Sequence, residues 1–166
     1  MGCGKSAIGR RLASLTGHRF VDTDELITLA EGRSISEIFA SEGEDYFRNV
    51  EQRVLSEEVG IYGIVLSTGG GLVLREQNRE TLRQIGIVGW LDAEPEILFE
   101  RASRSTKRPL LQTDNPRETF FRLLESRKEL YAAVADFRLD STLLDHDQAA
   151  QGFLDEALRQ HRRFGC

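Results

Sequence analysis

The sequence predicts an α/β domain in which a parallel sheet is covered by helices on both faces. Short apolar strands alternate with helical stretches along the chain, the pattern of strands joined by crossover helices. Residues suited to ligand chemistry fall at the carboxyl ends of two of those strands, where open parallel sheets bind their ligands. A length of 166 residues suits one domain, spanning 1–166, and leaves little room for a second.

Residues 5–16 carry Ile8, Leu12 and Leu15 at helical spacing, and Gly17 is a natural stop. Arg19–Val21 reads as a short strand running into Asp22-Thr23-Asp24. Ser34-Ile35-Ser36-Glu37 has the spacing of a capping box and opens a helical stretch, broken at Gly43, that runs to about Val59. Gly63–Ser67 is a buried strand leading straight into Thr68-Gly69-Gly70-Gly71. A strand follows at Ile87–Leu91, then a helix near Glu94–Arg104 with Pro95 tolerated in its first turn. Residues 105–115 are polar and irregular. A long helix spans about Pro116–Ala135, a strand Phe137–Leu139, and a final helix Gln148–Arg163.

Composition excludes several classes. Hydrophobic residues make up 40% and charged residues 30%, enough for a core and against wholesale disorder. The balance of 22 Lys+Arg against 27 Asp+Glu gives a net charge of -5. That disfavours a nucleic-acid surface while leaving room for a local basic pocket that takes a phosphorylated ligand. No apolar run approaches the roughly 18 residues of a membrane span, and no signal-peptide core opens the chain. With Cys3 and Cys166 as the only cysteines, neither a disulfide framework nor a cysteine-rich zinc site can be built. The expectation is a soluble, cytoplasmic protein.

The chain opens Met1-Gly2-Cys3-Gly4-Lys5-Ser6, the second half of the phosphate-binding pattern G-x-x-x-x-G-K-[ST]. Backbone N–H groups at a helix N-terminus cradle phosphate oxygens, Lys5 adds mobile positive charge, and the Ser6 hydroxyl suits Mg²⁺. Ala7 lacks the hydroxyl that many such loops use on the α-phosphate. The pattern's first Gly and the strand before it do not appear in the sequence, and a chance Gly-Lys-Ser at a helix start is the alternative.

Four further constellations accompany the loop. Asp22 and Asp24, two apart and pointing in alternate directions if extended, suit a metal's hydration shell and a substrate hydroxyl; a helix N-cap by Asp24 is the alternative. Arg48 and Glu51, three apart on a helix, make either a solvated ion pair or an oriented guanidinium for a carboxylate. Gly69, Gly70 and Gly71 allow close approach of backbone to a ligand, or form a plain turn. Arg108 in the 105–115 stretch is either a surface residue or part of a lid closing on phosphates. Arg127, followed by Leu130-Tyr131 on the long helix, would be a surface residue if taken alone.

Together these residues resemble shikimate kinase. The matching pieces MGCGKSAIGRRLA, FVDTDELI, FRNVEQRVL, LSTGGGLV, WLDAEPE, KRPLL and ESRKELYAAVADF run in order from Met1 to about Phe137. The resemblance implies a P-loop kinase-like three-layer sandwich with a lid at about 105–115 and a substrate-binding region at about 24–59. It implies transfer of the γ-phosphate of ATP to the 3-hydroxyl of shikimate by a monomer. Asp24 would hold that hydroxyl and act as the base, with Lys5 and Arg108 neutralising the transferred phosphoryl. Arg48 and Arg127 would clamp the shikimate carboxylate, with Gly69, Gly70 and Gly71 offering backbone N–H groups. ATP would lie on Gly2, Cys3, Gly4, Lys5, Ser6 and Ala7, with Arg108 over it and Arg101 beside adenine. Mg²⁺ would take Ser6 directly and Asp22 through water.

Two departures from the family bear on these expectations. Ser141–Gln148 lacks the Arg and Pro that the family offers to adenine after its last strand. The family's first strand is central in its sheet, so its loss would open a hydrophobic slot with unpaired edges. Met is frequent just before Gly-x-Gly-Lys-Ser in the family, so Met1 is expected to be an internal residue with translation starting upstream. Two other readings compete: a non-catalytic sensor on the same scaffold, and another small-molecule kinase such as a gluconate kinase. Joint retention of Lys5, Asp24, Arg48, Arg108 and Arg127 argues against the first, and the two-arginine clamp with the glycine triplet against the second. The intact mass of the natively expressed protein is expected to exceed that of these 166 residues; a mass matching them counts against an upstream start.

Overall fold

The computed structural model describes residues 2–103 and 113–164. Met1, Arg108 and most of the stretch expected to form a lid lie outside the described residues. The elements are α1 (Lys5–Thr16), β1 (Arg19–Asp22), α2 (Thr23–Glu31), α3 (Ile35–Ser41), α4 (Gly43–Glu57) and β2 (Ile64–Ser67). A 3₁₀ turn (Leu72–Leu74) and α5 (Glu76–Ile85) lead to β3 (Gly89–Asp92), α6 (Pro95–Ser103), α7 (Pro116–Val134), β4 (Phe137–Asp140) and α8 (His146–Phe164).

Local chemistry sets these boundaries. Gly17 and Gly32 end α1 and α2 in the left-handed conformation, each returning its N–H to a carbonyl of the last turn. Ser34 and Glu37 form the full capping box foreseen from the sequence, and Asn115 caps α7 ahead of Pro116 at N1. Asp145 and Gln148 exchange backbone-to-side-chain hydrogen bonds at 2.8 and 3.1 Å, which starts α8 earlier than apolar spacing alone predicts.

Two helices exceed the sequence reading. Helix α2 begins directly at Thr23 because Asp22, the last residue of β1, is its N-cap: the Asp22 carboxylate accepts the Asp24 N–H at 3.0 Å. Asp22 and Asp24 are therefore not neighbours in an extended strand, and the cap is Asp22, not Asp24. Helix α5 buries Asn78 and Leu82, with Ile85 packed against the cluster that holds Leu82, and only two of its ten residues are apolar. The strand expected from Ile87 starts at Gly89, since the Val88 N–H is taken by the Asp136 carboxylate at 2.7 Å.

The strands form two parallel pairs, β1 with β2 and β3 with β4, in registers that end at Asp22↔Ser67 and Asp92↔Asp140. An apolar cavity of about 600 Å³, lined by β2, β3, α1 and α8, lies where the slot was expected. Around it, Ile8 and Leu12 of α1 pack with Leu91, Leu98, Phe120, Ala149 and Ala150. A second cluster joins α2, α3 and α4 through Ile27, Ile38, Phe47, Val50 and Val54. A third, Leu55, Leu72, Val73, Leu82 and Val134, packs the segment after the glycine triplet against α4, α5 and α7. Leu55 and Leu72 are fully buried, each stabilising this junction by about 1.5–3 kcal/mol. That junction fixes where the glycines lie.

Candidate active site

The β1–β2 pair brings two loops together by register alone. Asp22 stands opposite Ser67, so the segments that follow, Thr23-Asp24 and Thr68–Gly71, emerge side by side at the strand carboxyl ends. Thr23 is fully buried, and its hydroxyl oxygen accepts the Gly69 N–H at 3.0 Å, tying the first turn of α2 to the glycine triplet. The sequence reading passed over Thr23 because a lone hydroxyl between two aspartates carries no spacing signal.

At the chain's beginning, Gly2 and Gly4 both take positive φ, 73° and 77°, with Gly4 at the N-cap of α1. A Cβ on Gly2 would run into the Leu98 carbonyl of α6, and one on Gly4 would sit 3.5 Å from His146 Nε2 of α8. The loop is thus wedged between two helices in a conformation that glycine alone takes easily. The N-terminus of α1 and Lys5 form the cationic end of the site. Burial resists ionisation of the Cys3 thiol, yet Lys5 and the loop N–H groups outweigh it and hold the thiol below its ordinary pKa. Lys5 Nζ lies 3.8 Å from Cys3 Sγ. Ser6 follows, its hydroxyl donating to the Asp22 carboxylate at 2.7 Å. Two hard oxygen donors therefore meet beside the phosphate loop.

The ion pair on α4 is not a solvated one. Arg48 and Glu51 are 7% and 1% exposed, joined at 2.7 Å, and Arg48 also donates to Glu44 at 2.9 and 3.2 Å. Burial disfavours the Arg48 charge, but Glu51 and Glu44 reverse this and hold its pKa above the ordinary value. Burial pushes the Glu51 carboxyl up, with Arg48 and Arg127 opposing and Asp24 reinforcing the rise. These couplings show that Asp24, Arg48, Glu51 and Arg127 share one electrostatic site. Arg127 is itself buried, contrary to its expected place on the surface taken alone. Its Nε and Glu51 Oε1 are buried without a hydrogen-bond partner. Such orphaned groups cost about 1–3 kcal/mol each unless a ligand meets them.

At two of the three glycines a side chain would crowd the site. A Cβ on Gly69 would lie 3.1 Å from both Asp24 Oδ1 and Glu51 Oε1. One on Gly71 would lie 2.8 Å from the centre of the Arg48 guanidinium. Tyr131 of α7 donates its hydroxyl to the Gly70 carbonyl at 2.5 Å. A smaller hollow of about 210 Å³ opens behind the phosphate loop, lined by Gly4, Arg101, Ser141, Asp145 and His146. The structure thus gathers Gly2–Ser6 with Asp22, gathers Asp24, Arg48, Gly69–Gly71 and Arg127, and puts Arg101 beside the loop. Arg108 is outside the described residues, and among those described no cluster of three or more His, Cys, Asp or Glu side chains could hold a metal ion.

A phosphate cradle at a helix N-terminus, facing a hollow with two buried guanidiniums across a carboxylate, is the arrangement of a P-loop kinase for a small anionic acceptor. The comparisons narrow the class to one family. The sequence profile described as shikimate kinase matches residues 1–158. The shikimate kinase of Actinobacillus pleuropneumoniae serotype 5b (strain L20) is 48% identical over 141 residues, 85% of this chain and 82% of that one. That of Nitrosococcus oceani is 44% identical over 164 residues, 99% of this chain and 84% of its own. Among solved structures, shikimate kinase from Acinetobacter baumannii in complex with shikimate superposes with a TM-score of 0.92 at 39% identity, covering 96% of this chain and 89% of that one. The chain belongs to the shikimate kinase family.

The contact between Gly71 and Arg48 generates a test. Gly71→Ala is expected to displace the guanidinium and raise KM for the anionic acceptor by roughly tenfold, the effect of about 1.4 kcal/mol, while KM for ATP stays within twofold. Steady-state kinetics with each substrate varied in turn reads both values.

Proposed function

We propose that this protein phosphorylates shikimate with ATP, transferring the γ-phosphoryl to the 3-hydroxyl and releasing ADP. The observation that carries the reading is a buried Arg48 packed on Gly71 and Asp24 beside Gly69, together with a buried Arg127 whose Nε is left unpartnered. Membership of the shikimate kinase family and the likeness to a shikimate-bound relative support the choice of acceptor.

In this reading the shikimate carboxylate takes the two guanidiniums, and the backbone N–H groups of Gly69–Gly71 face the ring. Asp24 and Arg48, within residues 24–59, share the acceptor's contacts with Gly69–Gly71 and Arg127. Asp24 receives the proton of the 3-hydroxyl as its oxygen bonds to the γ-phosphorus. The bond from that phosphorus to the bridging oxygen breaks, and ADP leaves with the electron pair. Lys5 and the α1 N-terminus stabilise charge on the phosphates, with Arg108 expected to add to them. Positioning and charge neutralisation carry most of the catalysis in phosphoryl transfer.

Ser6 Oγ and the Asp22 carboxylate, 2.7 Å apart, suit Mg²⁺, which takes few protein ligands and keeps several waters. Ser6 would hold the ion directly and Asp22 through water, and the ion would neutralise the β- and γ-phosphates. Adenine would lie in the smaller hollow beside Arg101 and His146, which offers a ring face where the family's Arg and Pro are missing. The described residues include no helix long and apolar enough to cross a membrane. That the protein works as a cytoplasmic monomer is part of this proposal and rests on the family resemblance.

ADP release from Mg-ATP by this chain is expected to depend on shikimate and to stop on chelation of the metal. Release with gluconate but not shikimate would overturn the reading. Asp24→Asn is expected to lower kcat by 10²-fold or more while leaving ATP affinity within twofold, measured by single-turnover kinetics and nucleotide titration. A variant that keeps most of its kcat would remove Asp24 from the role of base.

A further inference from the structure

We propose that Tyr131 is a positioning residue for the acceptor: its hydroxyl sets the orientation of the middle peptide of the glycine triplet and couples it to Arg127. This rests on the shikimate kinase reading above. Tyr131 lies four residues after Arg127 on α7, one turn along the same face. Its hydroxyl donates to the Gly70 carbonyl at 2.5 Å, a bond between residues 61 apart in sequence. Its ring packs on Trp90 with centroids 5.7 Å apart. Burial raises the phenol's pKa, and Arg127, one turn back on the same helix, is the foremost opposing influence. The phenol remains a donor at neutral pH.

Three successive glycines have wide backbone freedom, and a loop meant to aim N–H groups must lose it. The two ends of this triplet are restrained by its own surroundings. Gly69 donates to Thr23 at 3.0 Å, the Leu72 N–H returns to the Gly69 carbonyl at 3.2 Å, and the Leu74 N–H to the Gly71 carbonyl at 3.0 Å. The peptide between Gly70 and Gly71 is held from α7. Because a trans peptide points its carbonyl and its N–H in opposite directions, fixing the Gly70 carbonyl on Tyr131 turns the Gly71 N–H away from α7. Gly71 is also the residue packed against the Arg48 guanidinium. One hydroxyl therefore aligns an N–H donor with the arginines that flank it, so the acceptor meets a preformed set of donors.

Tyr131→Phe keeps the ring and its packing on Trp90 and deletes the hydroxyl alone. The variant is expected to raise KM for shikimate by roughly fivefold to tenfold, the effect of losing one hydrogen bond of about 1 kcal/mol. KM for ATP is expected to stay at its wild-type value, and the thermal midpoint to fall by roughly 2–4 °C, the cost of the same bond in the empty protein. In an Arg127→Ala background the same change should add less than twofold, since the two side chains act as a unit. A shikimate KM within twofold of wild type, or equal rises in both KM values, overturns the positioning role. An additive effect in the Arg127→Ala background overturns the coupling. Wild-type protein that turns over no shikimate overturns the functional reading itself, and this inference with it.

Discussion

Two arginine charges held out of water govern the architecture of the site. Moving one ionised side chain from water into a protein interior costs several kcal/mol, and two near each other also repel. Arg48 is satisfied by Glu51 and Glu44, but Arg127 retains a buried Nε without a partner. The site therefore keeps an unmet guanidinium donor, available to an acceptor oxygen of a ligand. A local donor of this kind, not the sum of charge over the surface, suits a chain of net charge -5 to an anionic ligand.

Holding this arrangement demands backbone where side chains would otherwise stand. Gly69 lets Asp24 and Glu51 close on the triplet, and Gly71 admits the Arg48 guanidinium. The register of β1 on β2 sets these pieces side by side, and the Thr23–Gly69 bond prevents them from sliding. The fold contributes rigidity in turn. Helix α4 is anchored by Val50 and Val54 on the α2–α3 cluster and by Leu55, one turn beyond Glu51, on Leu72, so Arg48 and Glu51 project from a helix that is packed on more than one side.

Much of this was legible in the sequence, and the reasons differ by element. The helix at residues 5–16 and the capping box at Ser34 are local signals, and both stand where their residues said. Helix α2 was hidden because its cap is a strand residue, Asp22, which looked like one half of an extended pair. Helix α5 was overlooked because its apolar stripe is a single pair, Leu82 and Ile85, on an otherwise polar helix. Spacing made the Arg48–Glu51 pair visible but could not tell a buried pair from a solvated one, since burial comes from the glycine segment, which is distant in sequence. Tyr131 carried no signal of its own: its partner is a backbone carbonyl 61 residues away, and a carbonyl has no sequence letter.

The same reasoning bears on why the acceptor end is built so stiffly while the phosphate end relies on a loop and a helix terminus. An α-helix N-terminus offers N–H groups to any phosphate, and the triphosphate's own charge draws it in. A small carboxylate with hydroxyls brings only one charge, so in the proposed reading its affinity would come from geometry: paired guanidiniums, a fixed peptide N–H and a carboxylate at the reacting hydroxyl. Each of those groups loses freedom on folding rather than on binding, which moves the entropic cost into the stability of the protein. Orphaned buried atoms at Glu51 and Arg127 are the mark of that transfer, because they lower stability in the empty protein and are relieved only when a ligand of matching charge and shape arrives. A site organised only to store or sense an anion would gain nothing from Asp24 standing at the same glycines. In the proposed reading Asp24, beside Gly69 and bonded through its N–H to Asp22, is the residue that would turn binding into transfer.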